Sequence, residues 1–394
     1  MSGGDSRDRP MTRVVHAGRD PEAWNGAVNP PLYRVSTVIQ ASMADRKAAF
    51  AERTADGKRM VYGRTGTPTT RALEDALCEL EGGHRAQLYP SGLSAIAGAI
   101  TAFVAAGDTI LMTDNAYGPT RTFCDTYLRR MGVKTVYVDP RLGADIARYV
   151  TPDVKLVFLE SPGSLTFEIA DVPAIGRAAK AAGATVMIDN TWATPLFFQP
   201  LAHGVDVSIH AGTKYIAGHS DAMLGIAIAT EDAWPRLRDG ARQTGICVGA
   251  DEAYLAQRGL RTMAVRLRQH QESTLAVAAW LAARDDVASV LYPALPESPD
   301  HALWRRDFAG ACGLMAFELA TKRADRAAAI VDRLRLFGIG SSWGGYESLA
   351  IVADPAAYRT ATRWQARGAL IRLHVGLEDP ADLIADLDAA LEAG

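Results

Sequence analysis

Three short stretches place reactive side chains where an apolar run gives way to small residues. Pro90-Ser91-Gly92-Leu93 follows the run ending at Tyr89 and opens an Ala-rich helical stretch, Leu93–Ala105. A glycine at such a turn lets the backbone approach a ligand closely, and a helix N-terminus offers unpaired N–H groups to an anion. Asp189-Asn190-Thr191 follows the apolar run Thr185–Ile188, where a carboxylate can serve as a turn acceptor or face a cationic nitrogen. Ala211-Gly212-Thr213-Lys214-Tyr215 follows Val205–His210 and sets a lysine after a run of small residues. Taken singly, each has a structural reading: a turn, a turn acceptor and a surface lysine. Two nucleotide motifs are excluded. Gly212-Thr213-Lys214 lacks the upstream glycine spacing of a P-loop, and Tyr215 stands where a Ser or Thr is required. No predicted strand is followed by G-x-G-x-x-G, which argues against a nicotinamide-binding unit.

Together the three stretches make one chemical set. Pyridoxal 5′-phosphate (PLP) needs donors for its phosphate, a carboxylate for its pyridinium nitrogen and an amine for its aldehyde. The helix N-terminus at Gly92, Asp189 and, 25 residues later, Lys214 supply these in order. A carboxylate at Asp189 keeps the ring nitrogen protonated, so that the ring can accept electrons.

The elements that must position this set are legible as short apolar runs alternating with helical patterns. Predicted strands are Gln87–Tyr89, Thr109–Thr113, Thr135–Asp139, Lys155–Glu160, Thr185–Asp189, Val205–His210 and Leu224–Ala229. Several are apolar on both faces, as strands between two helix layers are. Alternation with helices implies an α/β fold with a mainly parallel, doubly wound sheet, in which ligands sit outside the carboxyl ends of the strands. Thr69 is read as the cap of a helix to Glu81 carrying Leu73, Leu77 and Leu80 on one face. Residues 1–60 read as an irregular N-terminal arm and 61–250 as the large domain. Residues 251–394 read as a smaller C-terminal α/β domain. It opens with a long helix-prone stretch to Arg284, then carries strands Leu314–Leu319 and Leu370–His374 and a helix Ala381–Ala393.

Composition adds exclusions. The chain has 394 residues, 48% of them hydrophobic, and a formal net charge of −3, so nothing points to nucleic acid. No run approaches the roughly 18 apolar residues of a membrane helix. The opening MSGGDSRDRP lacks the apolar core of a signal peptide, which gives a cytoplasmic reading. The four cysteines form no C-x-x-C pair and are read as buried reduced thiols. His16, His84 and His203 have no partner at metal-ligand spacing, so no metal is expected.

Ten ordered blocks carry a resemblance over nearly the whole chain, from about Val14 to Leu391. They are VYGRTGTPT (61–69), LCELEGG (77–83), YPSGLSA (89–95), NAYGPT (115–120), VFLESPGS (157–164), IDNTWA (188–193), TKYIAGHSDAM (213–223), RGLRTMAVRLRQH (258–270), SSWGGYES (341–348) and LIRLHVGLED (370–379). The chain resembles the Cys/Met-metabolism family of PLP enzymes with the type I fold. The resemblance implies a seven-stranded, mainly parallel sheet with helices on both faces. It implies that Lys214 forms the covalent link to the cofactor and that Asp189 partners the ring nitrogen. Gly92 and Leu93, helped by Thr213, would hold the phosphate, and Tyr117 would stack on the ring. Tyr62 and Arg64 would reach the phosphate in a neighbouring subunit, which implies an active dimer and, in this family, usually a homotetramer. Arg372 would bind the substrate α-carboxylate, with Ser342 and Trp343 lining its pocket.

The activity implied is carbon–sulfur β-elimination on an amino-acid thioether. Cystathionine would give homocysteine, pyruvate and ammonia in methionine biosynthesis, and cysteine and S-substituted cysteines are expected as further substrates. Family members with γ-synthase or γ-lyase chemistry share nearly all these residues. Trp343 favours the β-reaction, since a leucine is typical of the γ-enzymes. Thr65, Thr122 and Ser341 depart from the β-lyase pattern at positions associated with the distal end of the substrate.

Overall fold

The computed structural model describes residues 8–54 and 57–393. The first seven residues of the polar opening segment therefore lie outside the described part.

Seven strands build the larger sheet: β1 (Arg85–Tyr89), β2 (Thr109–Thr113), β3 (Lys134–Val138), β4 (Val154–Glu160), β5 (Thr185–Asp189), β6 (Val207–His210) and β7 (Gly225–Ala229). Their order is β1-β7-β6-β5-β4-β2-β3. Strand β7 runs antiparallel to β1 and β6, and the remaining pairs are parallel. This is the mainly parallel sheet expected, with each predicted strand present and its ends shifted by at most two residues. Successive side chains feed opposite faces. Val157, Leu159, Val186 and Ile188 join one buried apolar cluster, whereas Phe158 and Met187 join the other.

A second sheet follows, of β8 (Val287–Leu291), β9 (Leu314–Leu319), β10 (Gly338–Ile339), β11 (Leu349–Ala353) and β12 (Leu370–His374), in the order β10-β11-β12-β9-β8. The first apolar cluster is continuous between the two sheets, from Leu73 and Leu77 through Leu267 to Phe317 and Leu373.

Four expectations are corrected. The arm before residue 60 is not irregular throughout, since it holds helices Pro10–His16 and Met43–Thr54. The helix Pro68–Glu81 is capped by Thr67, not Thr69. Pro68 occupies the first helical position, and Thr67 and Thr70 bond reciprocally in a capping box. Thr69 instead accepts from the Tyr33 N–H (2.8 Å) and donates to the Pro31 carbonyl (2.6 Å), which ties down the arm. The long helical stretch is two helices, Ala250–Leu260 and Met263–Ala282, separated at Arg261-Thr262. Of the cysteines, Cys247 is exposed, while Cys78, Cys124 and Cys312 are buried. No helix among the described residues is long and apolar enough to cross a membrane.

Candidate active site

The parallel strands β4, β5 and β6 end on one edge, and a cavity of about 390 Å³ opens there. Lys214 enters it from the turn after β6. Its Nζ donates to the Ser342 hydroxyl at 2.6 Å and lies 5.1 Å from the centre of the Trp343 ring. Burial, then the nearby Arg372, push the ammonium down to about 8, against the opposing pull of Asp189.

Asp189 closes β5 and is buried. Its Oδ1 accepts from the Thr191 N–H (3.0 Å) and from the Thr191 hydroxyl (2.5 Å). That hydroxyl in turn accepts from the Ala211 N–H at 2.8 Å, so the ends of β5 and β6 are tied directly. Burial raises the carboxyl above the ordinary range, and the Thr191 bonds, His210 and Lys214 partly offset it.

Sequence reasoning gave no role to Glu160, yet it closes β4 in register with Asp189 and lines the same cavity. Its Oε2 accepts the Tyr117 N–H at 2.6 Å. Burial, then the charge of Asp189, push its carboxyl well up. Its position at a strand end, the signal used for Asp189, could have found it. Tyr117 itself lines the cavity and is 44% exposed. Its phenol is raised, first by burial and then by Glu160 and Asp189.

The wall facing the lysine is the N-terminus of helix Gly92–Phe103. Ser91 caps it by accepting from the Ser94 N–H at 3.1 Å. The N–H groups of Gly92 and Leu93 have no acceptor within the helix. Only a glycine fits at 92, because a Cβ would lie 2.6 Å from that of Ala211. Thr213 lines the cavity, and its hydroxyl brackets Leu224, accepting its N–H (2.9 Å) and reaching its carbonyl (3.2 Å).

Arg372 comes from β12 of the second sheet. Its Nη2 donates to the carbonyls of Gly340 (3.3 Å) and Ser342 (3.2 Å), and its buried Nε has no partner. Burial lowers the guanidinium to about 10. Ser341, Ser342 and Trp343 line the cavity beside it.

Not every expected residue gathers here. Tyr62 is exposed and faces an open surface pocket with Met43 and Phe50. Arg64 reaches the Arg242 carbonyl at 3.5 Å and lines a separate small cavity together with Thr65. Thr122 does not line the main cavity either. Among the described residues no cluster of three or more His, Cys, Asp or Glu could hold a metal.

The donor set fits PLP: free helix N–H groups, a buried carboxylate, an amine with a lowered pKa and an arginine with an unpaired Nε around one cavity. Fold and site together define a PLP-dependent enzyme of fold type I. The sequence profile of the Cys/Met metabolism PLP-dependent enzymes matches residues 11–392, and the chain belongs to that family. It is 49% identical to a putative cystathionine β-lyase of Rhizobium johnstonii, over 97% of this chain and 96% of that protein. It is 48% identical to the cystathionine β-lyase MetC of Escherichia coli, over 96% and 97%. The crystal structure of metB from Corynebacterium glutamicum has the same fold, with a TM-score of 0.89 and 29% identity, covering 99% of this chain and 100% of that one.

Proposed function

We propose that this chain is a PLP-dependent carbon–sulfur β-lyase that cleaves cystathionine to homocysteine, pyruvate and ammonia. One observation carries the reading. Lys214 Nζ, Asp189 and Arg372 converge on one cavity closed by a helix N-terminus, in a family whose full-length relatives at 48–49% identity bear that name.

When bound, PLP supplies an electron sink for the charge left at Cα. Gly92 and Leu93 would hold its phosphate by their N–H groups, with Thr213 beside them. Asp189 would pair with its ring nitrogen, and Tyr117, fixed through its N–H by Glu160, would lie against the ring. Arg372 binds the α-carboxylate of the substrate, and a guanidinium–carboxylate pair sets the direction of the Cα–H bond. Lys214 takes the Cα proton; an amine lowered to about 8 is a competent base near neutral pH. Ser342 orients that amine, and Trp343 covers it. As the Cβ–S bond breaks, Lys214 returns a proton to sulfur, with Tyr117 as a second donor. The released aminoacrylate hydrolyses to pyruvate and ammonia.

Tyr62 and Arg64 act on the cofactor phosphate of a second copy, so the working unit is a homodimer, and dimers pair into a homotetramer in the cytoplasm. The cavity's charged lining is Glu160, Asp189, Lys214 and Arg372, all committed to the reacting end, and Ser341 is neutral. The distal amine and carboxylate of cystathionine thus meet no further charge from this chain. Parallel incubation with cystathionine and S-methylcysteine tests both points. Pyruvate is the expected keto acid, with kcat/KM for cystathionine less than about a hundredfold the higher, a gap of under ~3 kcal/mol. Release of 2-oxobutyrate would instead assign γ-elimination, and a many-hundredfold preference would refute the neutral distal pocket.

A further inference from the structure

Arg372 and His374 stand two residues apart on β12, so both side chains leave the same face of the strand. Both reach the turn 340–345. Arg372 holds its beginning at Gly340 and Ser342. His374 holds its end, because Nε2 lies 3.1 Å from the Gly344 nitrogen and 3.2 Å from the Gly345 carbonyl oxygen. His374 is fully buried, and its Nδ1 has no hydrogen-bond partner. Its ring otherwise packs on Tyr215 and His270, at 6.0 and 5.2 Å between centres. Burial, then His270, push the imidazole down to about 3, so it stays neutral at working pH.

The turn that His374 grips rests on the lysine. Gly344 has a φ of +88°, and a Cβ there would come within 2.9 Å of the Lys214 backbone. From this seat the turn sets Ser342 Oγ 2.6 Å from Lys214 Nζ and the Trp343 ring over it.

We propose that His374 is a positioning residue for the elimination: it fixes Gly344-Gly345 and thereby the placement of Ser342 and Trp343 on the Lys214 amine. The proposal rests on the reading of Lys214 as the base. With alanine at 374 the backbone of the turn keeps its hydrogen bonds only at the Arg372 end. A misplacement of about 1 Å at a reacting group can cost roughly 10²-fold in rate. The larger cost falls on kcat, since Arg372 still binds the α-carboxylate while the Lys214 amine loses its alignment.

The test compares wild type, His374→Ala and His374→Gln, each loaded with PLP. Cofactor content, melting temperature, kcat and KM for cystathionine are measured. The Ala variant, folded and loaded, is expected to lose kcat by on the order of 10- to 100-fold with KM within about threefold. The Gln variant, whose amide reaches the position of Nε2, should recover most of the loss. A folded, loaded Ala variant with wild-type kcat overturns the proposal, as does a change confined to KM. Should the Ala variant fail to fold, Asn decides. Its shorter amide does not reach the turn, so its kcat must fall below that of Gln, and equal values overturn the proposal. A wild-type enzyme that releases no pyruvate overturns the lyase reading and this proposal together, whereas the other outcomes bear on positioning alone.

Discussion

Lys214 and Asp189 are tuned by the same burial in opposite senses: it disfavours the ammonium of one and the carboxylate of the other. The shift on Lys214 has a definite pH consequence. Only the neutral amine can attack an aldehyde, and its pKa is depressed from 10.5 to about 8. Reconstitution of the PLP-free protein should therefore quicken as pH rises, reach half its limiting rate near pH 8 and level off above it. A stopped-flow series that is still climbing steeply at pH 10 would show an unperturbed lysine. In the same assay Lys214→Ala should bind PLP without the visible absorption of the lysine-linked cofactor and without borohydride trapping. A trapped adduct on another lysine would reassign the site. These residues were legible because each follows an apolar run with a chemistry that PLP requires. Glu160 stands at a strand end too, but its bond to the Tyr117 N–H was not legible, because a different loop brings that group to it.

Elements set these distances, and two of them make separate predictions. Helix Gly92–Phe103 presses its first turn on Ala211, only three residues before Lys214. Gly92→Val should force the two apart, and overpacking of this kind costs about 1–3 kcal/mol. Spent on the phosphate cradle, that weakens PLP affinity by roughly tenfold or more, as fluorescence titration of the PLP-free protein would measure. Unchanged affinity would place the phosphate elsewhere. The second element is the segment after β11. Asp114, at the end of β2, accepts the N–H groups of Thr360 (3.0 Å), Ala361 (3.0 Å) and Thr362 (2.7 Å) and pairs with Arg121 at 2.9 Å. The Asp114–Arg121 pair is buried, while Thr360 and Ala361 are exposed, so Asp114→Ala takes the carboxylate from a buried guanidinium and the acceptor from three N–H groups. Breaking such a pair costs about 3–5 kcal/mol, and the melting temperature should fall by several degrees. Calorimetry showing no change would mean that the segment is held by other contacts. Neither contact was visible in the sequence, since Asp114 and Thr360 are 246 residues apart. The strands of the large sheet were visible, because both faces are apolar. In the second sheet β8, β10 and β11 escaped notice: β8 mixes Ala and Ser into VASVL, and β10 spans two residues. The helical break at Arg261-Thr262 was hidden by continuous helix-forming residues on both sides.

On the scale of the whole molecule, the cavity draws on both sheets yet leaves out two residues that the family resemblance brings to it. Tyr62 and Arg64 are exposed on this chain, Tyr62 beside Met43 and Phe50 and Arg64 at a separate cavity. A contact that one chain cannot make with its own site, a two-fold pair can make reciprocally, because each copy offers the same surface to the other. If Arg64 serves the partner's phosphate, Arg64→Ala damages the neighbouring site while Lys214→Ala damages its own. Each variant alone should then be inactive or nearly so. In a mixed dimer one site carries both defects and the other neither, so mixing the two inactive proteins should restore pyruvate release. The regained activity should follow subunit exchange, monitored by native mass spectrometry, and its KM for cystathionine should match the wild-type value because the restored site is intact. Verified exchange without restored activity would mean that Arg64 serves its own chain or none, and the shared site would have to be abandoned.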